Sequence, residues 1–304
     1  MGLGWNRTHD MSPNFRRALA IAALGAFRPD VGHSQSIPGM LATDLRHVAG
    51  DAWDVWTSPL RGRPRDWLTA AGVVALSAAV SPLDDNVDRW AVAHQKDKAY
   101  DFLKPVRAGG AAFTGKTITP VALGLLVVSL ATKNETMQEG LFGCVTAYGA
   151  SSIVRTFVVY PTIARTRPDP RSPDGPPPPA VEGDQYRFAF PGKSDWGQHS
   201  LPGGHLANIM ACGEFLASRY SMGLVEPAIW AVVAGVALGR TLDRGHWASD
   251  EVLGAAFGYG VGRQVALRSK RRAGNFVRRG GDDGFQAYLA PSRSGLELGF
   301  SRVF

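Results

Sequence analysis

Cysteine is nearly absent: Cys144 and Cys212 are the only two in 304 residues. They form no Cys-x-x-Cys pair and no Cys/His zinc spacing, which excludes a disulfide framework and a structural zinc module. Each lies in an apolar segment and is expected to behave as a small buried hydrophobe. Charged side chains are also scarce, at 19%, against 45% hydrophobic. Uninterrupted apolar runs of full membrane-spanning length are missing. Most apolar segments run 15–17 residues, short of the ~20 that a spanning helix needs, and Arg155 and Glu214 interrupt two of them. Mean hydropathy is only −0.08, which leaves a soluble helical protein and a membrane protein both open. The net charge of +7 has no nucleic-acid motif beside it, so nucleic acid is not an expected partner. No internal repeat is present.

What the chain does contain is a succession of apolar, Gly/Ala-rich segments at 67–83, 117–132, 139–160, 205–221, 225–239 and 251–267. They predict an all-α bundle of about six core helices, membrane-embedded or membrane-associated, closed by a tail that alternates like a β-hairpin. The segment 117–132 is the most membrane-like, and Gly and Ala allow close helix packing in either solvent. "TDLRHVAGDAWDVW" predicts a short amphipathic helix, and "DDNVDRW" opens a polar helical stretch. Three regions follow from this pattern. Residues 1–36 form a signal or N-terminal anchor, with Arg16 and Arg17 before a short apolar run. Residues 37–268 form the helical domain, with a Pro/Gly-rich loop at 168–200 that is long for a connector. Residues 269–304 form a basic linker and tail. The run Arg268, Lys270, Arg271, Arg272, Arg278, Arg279 fits a solvated helix end, a positive-inside flank or an anionic-lipid patch.

Chemistry concentrates at segment ends. "GRTLDRGHWASDEVLGAAFG" places Arg240, His246 and Asp250 at the mouth of an apolar helix. The four-residue spacing puts Asp250 and His246 on one face, where the carboxylate can take the proton of one ring nitrogen and leave the other free. "SLPGGH" ends a loop where another apolar helix begins. The backbone N–H groups of Gly203, Gly204 and His205 there favour an anion. "ARTRPDP" contributes Arg165 and Arg167. Arginines, a glycine nest and two histidines at one end of a bundle make a phosphate site with catalytic groups.

These motifs resemble the type 2 phosphatidic acid phosphatase superfamily, which also includes bacterial nonspecific acid phosphatases and vanadium haloperoxidases. Its signature is Lys-x6-Arg-Pro, Pro-Ser-Gly-His and Ser-Arg-x5-His-x3-Asp. The match lies at Arg167 and Pro168, at Pro202, Gly204 and His205, and at Arg240, His246 and Asp250. The resemblance implies a metal-independent and cofactor-free phosphatase. His246 would attack phosphorus, Asp250 would orient its ring, and His205 would act as acid and then base. Arg167 and Arg240 would bind phosphate oxygens, with Gly203, Gly204, Tyr160 and Arg165 lining the same site. Three positions depart from the signature: Tyr160 stands where the superfamily has Lys, Gly203 where it has the motif Ser, and Gly239 where Ser precedes the arginine. Arg155, Arg165 and Lys193 are candidates to restore the missing charge.

The expected substrate is a lipid-type phosphomonoester or pyrophosphate, acted on at a bacterial-type inner membrane by a site facing the periplasm. The alternatives are a soluble exported acid phosphatase of the periplasm, a phosphate-binding homologue that no longer turns over, and a vanadate-dependent haloperoxidase.

Overall fold

The computed structural model describes residues 37–94, 97–103, 105–106, 115–169, 184–191, 196–220, 222–223, 225–279, 286–292 and 295–301. The expected signal or anchor at 1–36, Lys193, the proline run at 174–179 and Phe304 lie outside them. The chain is all-α, as its apolar periodicity predicts. The helices are α1 (Ile37–Thr57), α2 (Pro64–Val80), α3 (Asp84–His94), α4 (Gly115–Ala131), α5 (Glu135–Val154), α6 (Gly204–Arg219), α7 (Val225–Leu242) and α8 (Ala248–Arg279). The alternating tail forms an antiparallel hairpin of β3 (Gln286–Ser292) and β4 (Gly295–Ser301). A short antiparallel pair joins β1 (Ala164–Arg165), just before the Pro/Gly-rich loop, to β2 (Phe188–Ala189) within it.

Local chemistry accounts for the helix starts. α2 opens with Pro64 at a position whose N–H would be unpaired anyway, and Asp66 accepts the N–H of Arg63 at 2.9 Å. Asn134 caps α5 by accepting the N–H of Met137 at 2.9 Å. Several helices are longer than the apolar segments that announce them. A 3₁₀ turn at Ser81–Leu83 joins α2 to α3, giving a 31-residue helical run, Pro64–His94. A π turn at Arg155–Val159 carries α5 on to Thr162, giving 28 residues. With Val225–Leu242 these are three helices long and apolar enough to cross a membrane. The segment 117–132, most membrane-like in sequence, yields only a shorter apolar helix. α2 and α4 turn Leu68, Val74, Leu76, Leu123 and Val127 outward, an apolar exterior that suits lipid.

α6 is the central helix. It packs along α8 and also against α5 and α7, over a core of Ala147, Ala150, Ala211, Phe215, Val261, Val265 and Ala266 with Val55 of α1. The α6–α8 contact is backbone to backbone. A Cβ on Gly254, Gly258 or Gly262 would run into the carbonyl of Gly203, Ala207 or Ala211 respectively. The expected close packing through Gly and Ala is therefore present, and it sets the start of α8 against the start of α6.

Two expectations need correction. Cys144 and Cys212 are bonded as a disulfide that joins α5 to α6. The sequence hid this because one isolated pair has no framework spacing, and only the packing of the two helices brings the thiols together. The basic run is only in part a solvated helix end: Lys270 and Arg271 are exposed, but Arg268 and Arg272 are paired. It continues α8, where Arg268 meets Asp51 at 2.7 Å and Asp54 at 3.0 Å, and Arg272 meets Asp51. Those acidic partners belong to α1.

Candidate active site

The three motif segments meet where α6 and α8 begin and α7 ends. Two buried arginine–aspartate links hold them there. Arg165 donates to Asp84 at 2.8 Å, to Asp250 at 2.5 Å, to Ser249 at 2.8 Å and to the carbonyl of Gln185 at 2.7 Å. Arg244 donates twice to Asp88, at 2.6 and 2.9 Å, and once to the carbonyl of Pro168 at 2.9 Å. Asp84 also accepts the N–H of Ser249 at 2.9 Å, at the start of α8. All five charged groups are buried, so removing one would strand its partner at a cost of about 3–5 kcal/mol. Sequence reasoning did not find Asp84, Asp88 or Arg244. The repeated aspartates of "DDNVD" at the start of a helix were the available signal.

These links correct two expected roles. Arg165 is occupied by carboxylates, so it braces the site instead of facing phosphate. Asp250 does not bond the ring of His246. Its carboxylate takes Arg165, the hydroxyl of Ser200 at 2.5 Å and the N–H of Trp247 at 3.3 Å. The ring of His246 bonds the carbonyl of Ser200 through Nδ1 at 2.7 Å. A carbonyl can only accept, so Nδ1 carries the proton and Nε2 keeps its lone pair. Asp250 thus reaches His246 through Ser200, whose hydroxyl and carbonyl serve the two residues. The face-sharing implied by the four-residue spacing is lost because His246 precedes the helix, in the turn before Trp247.

Nε2 of His246 faces the N–H of Gly204, 3.4 Å away. That is a long bond for an incoming group to displace. Gly203 caps α6, but its own N–H is taken by the carbonyl of Asp250 at 2.9 Å, so the glycine nest is narrower than expected. The ring of His205 stands 6.3 Å from that of His246, at an interplanar angle of 60°. Arg167 is anchored through the carbonyls of Gly245 at 2.8 Å and His199 at 3.0 Å. Arg240 donates to Asp243 at 3.2 Å, and its buried Nε has no hydrogen-bond partner. Gly245 lies where any Cβ would strike the Arg240 guanidinium, so glycine there admits the arginine.

Tyr160 is buried, stacks on His199 at 4.2 Å and accepts a bond from Arg155 at 2.7 Å. Arg155 is buried in the π turn, donates to Asn208 at 3.1 Å and leaves Nε without a partner. A Cβ at Gly204 would collide with Nη1 of Arg155 and come within 3.3 Å of the Tyr160 hydroxyl. Of the two described candidates to replace the missing lysine charge, Arg155 and Arg165, Arg155 is the one placed beside Gly204. A π turn at such a position is a common feature of functional sites.

Burial above all, then Arg167, Arg240 and His205, hold His246 well below the usual histidine range. Burial and then Arg240, Arg167 and Arg155 do the same to His205. Arg167 is pulled down to about 10 by burial and by Arg240, and stays cationic at neutral pH. The site therefore gathers three arginines around two imidazoles whose neutral form is favoured, an excess of positive charge that suits an anion. Among the described residues no group of three His, Cys, Asp or Glu side chains is arranged to hold a metal ion.

An arginine-lined anion site with a poised imidazole, set at the ends of packed helices, defines a phosphate-handling helical protein. Residues 140–273, which carry all three motif segments, match the family model described as the PAP2 superfamily. Through this segment the chain is similar to that superfamily. No curated protein and no solved structure matches it.

Proposed function

We propose that the protein hydrolyses a lipid-type phosphomonoester or pyrophosphate through a phosphohistidine at His246. The observation that carries this reading is the state of that ring. Nδ1 is locked by the Ser200 carbonyl, and Nε2 is left with only the long Gly204 contact. Nε2 attacks phosphorus while the bond from phosphorus to the leaving oxygen breaks, and His205 gives that oxygen a proton. Burial favours the neutral form of His205. A phosphate dianion seated among Arg155, Arg167 and Arg240 offsets their charge and raises the affinity of His205 for the proton it must give. His205 then takes a proton from water, which attacks phosphorus and releases phosphate and the free His246. The arginines stabilise the charge that builds on the phosphoryl oxygens.

The lipid part of the reading rests on the apolar exterior and the three long apolar helices. A periplasm-facing site at a bacterial-type inner membrane is in keeping with the Cys144–Cys212 disulfide, since disulfides persist in oxidising compartments. Against a non-catalytic phosphate binder stands the replacement of the lost lysine charge by Arg155.

The test is phosphate release by the purified protein and by His246→Ala, with chelator present. Substrates would be phosphatidic acid, an isoprenyl pyrophosphate, phosphatidylglycerol phosphate and a chromogenic phosphomonoester. Chelator-resistant release is expected from the lipids, and it is expected to vanish in the variant. Full activity in His246→Ala would overturn the mechanism. Preference for the chromogenic ester would favour a broad acid phosphatase.

A further inference from the structure

Glu251 is the one buried carboxylate at this site that the mechanism leaves unused. It follows Asp250 in the first turn of α8 and is buried. Neither carboxylate oxygen has a hydrogen-bond partner, an expensive arrangement for a group with two acceptors. Its place is defined by Gly203. A Cβ built there would collide with Oε2 of Glu251 and come within 2.8 Å of its carboxyl carbon. The Glu251 carboxyl therefore fills the space that a side chain at position 203 would take, at the start of α6.

The charged groups around Glu251 are Arg240 from α7, Arg167 from the loop after β1, Arg155 from the π turn and Asp250 from its own helix. The three arginines are the cations that the proposed function assigns to phosphate. Arg155 and Arg240 each keep a buried, unpartnered Nε, so neither satisfies the carboxylate by a direct bond there. A buried acid without a hydrogen-bond partner thus sits among arginines of which two keep unpartnered donors, in space left by the glycine at position 203.

We propose that Glu251 is a further phosphate-contacting residue. As the neutral carboxylic acid it donates a hydrogen bond to a phosphate oxygen from the space beside Gly203. The inference rests on the phosphatase reading above and adds a residue to it. Burial favours the neutral acid, outweighing the opposing pull of Arg240. The neutral acid has the O–H that Gly203 lacks. The ionised acid would instead repel the substrate. The sign with pH follows: as pH rises and Glu251 ionises, the donor is lost and a like charge appears beside phosphate.

The test is the affinity of the full chain in detergent for inorganic phosphate, measured by titration calorimetry without any turnover. Glu251→Ala is expected to weaken phosphate binding about tenfold, the effect of losing one hydrogen bond to a charged group. Gly203→Ser added to Glu251→Ala is expected to recover most of that loss, because the serine Cβ then meets the Asp250 carbonyl at 3.2 Å, which a small backbone shift relieves, and φ at Gly203 is an ordinary −54°. Glu251→Gln keeps a donor and cannot ionise. It is expected to match the wild type at mildly acidic pH and to bind more tightly than the wild type at alkaline pH. Unchanged or tighter binding by Glu251→Ala would overturn the inference while leaving the phosphatase reading intact. Failure of the wild type to bind phosphate at all would overturn both.

Discussion

At the residue scale the site works by division of labour among arginines that look alike in sequence. Arg165 and Arg244 are spent on Asp84, Asp250 and Asp88, so they brace the backbone. Arg155, Arg167 and Arg240 surround the histidines, and two of them keep an unpartnered donor. The difference lies in direct bonds to buried aspartates, which Arg165 and Arg244 make, whereas Arg240 bonds only the partly exposed Asp243, and no motif spacing reports it. Arg155 carries the clearest expectation. Arg155→Ala removes the cation beside Gly204 and is expected to lower kcat/KM by about 10²–10³, the usual effect of losing one charged donor to a transition state. Arg155→Lys should recover part of it. A steady-state comparison on one lipid phosphate, with thermal unfolding as a control for folding, would decide. Retention of full kcat/KM by Arg155→Ala would remove Arg155 from the site.

At the scale of elements the decisive contact is between α6 and α8. Gly254, Gly258 and Gly262 let α8 rest on the carbonyls of Gly203, Ala207 and Ala211. That contact presents the turn carrying His246 to the first residues of α6. Gly258→Ala is expected to destabilise the protein by about 1–3 kcal/mol through overpacking, and to reduce activity as the helices part. Gly260, two residues away, is exposed, and a methyl group there would have nothing within 4 Å. Gly260→Ala is expected to be neutral or stabilising by about 0.5–1 kcal/mol, since alanine favours helix over glycine. Thermal unfolding of both variants in the same detergent checks this, and equal effects would contradict the packing argument. The Gly/Ala pattern of "VLGAAFGYGVG" was legible as close packing, but its partner helix was not.

For the whole molecule, three helices long enough to cross a bilayer and an apolar exterior on α2 and α4 indicate membrane association. The protein is expected to stay with the membrane pellet after an alkaline carbonate wash. Release into the supernatant would show that the apolar helices pack against something other than lipid. The modest mean hydropathy of −0.08 is not at odds with this. The polar residues that lower it include buried Asp84, Asp88, Asp250, Arg165 and Arg244, which are paired with one another in the interior.

The amino-acid sequence by itself determined the helical class, the hairpin tail, and the identity and order of His205, Arg240, His246 and the arginines near position 167. Those follow from local periodicity and from residue types whose chemistry is intrinsic. Only the tertiary structure decided which arginines pair with buried aspartates, that Asp250 reaches His246 through Ser200, that Cys144 meets Cys212, and that Glu251 fills the space at Gly203. Each of these depends on which side chains from distant segments come within bonding distance. Helix packing sets that distance, and a linear pattern does not record it.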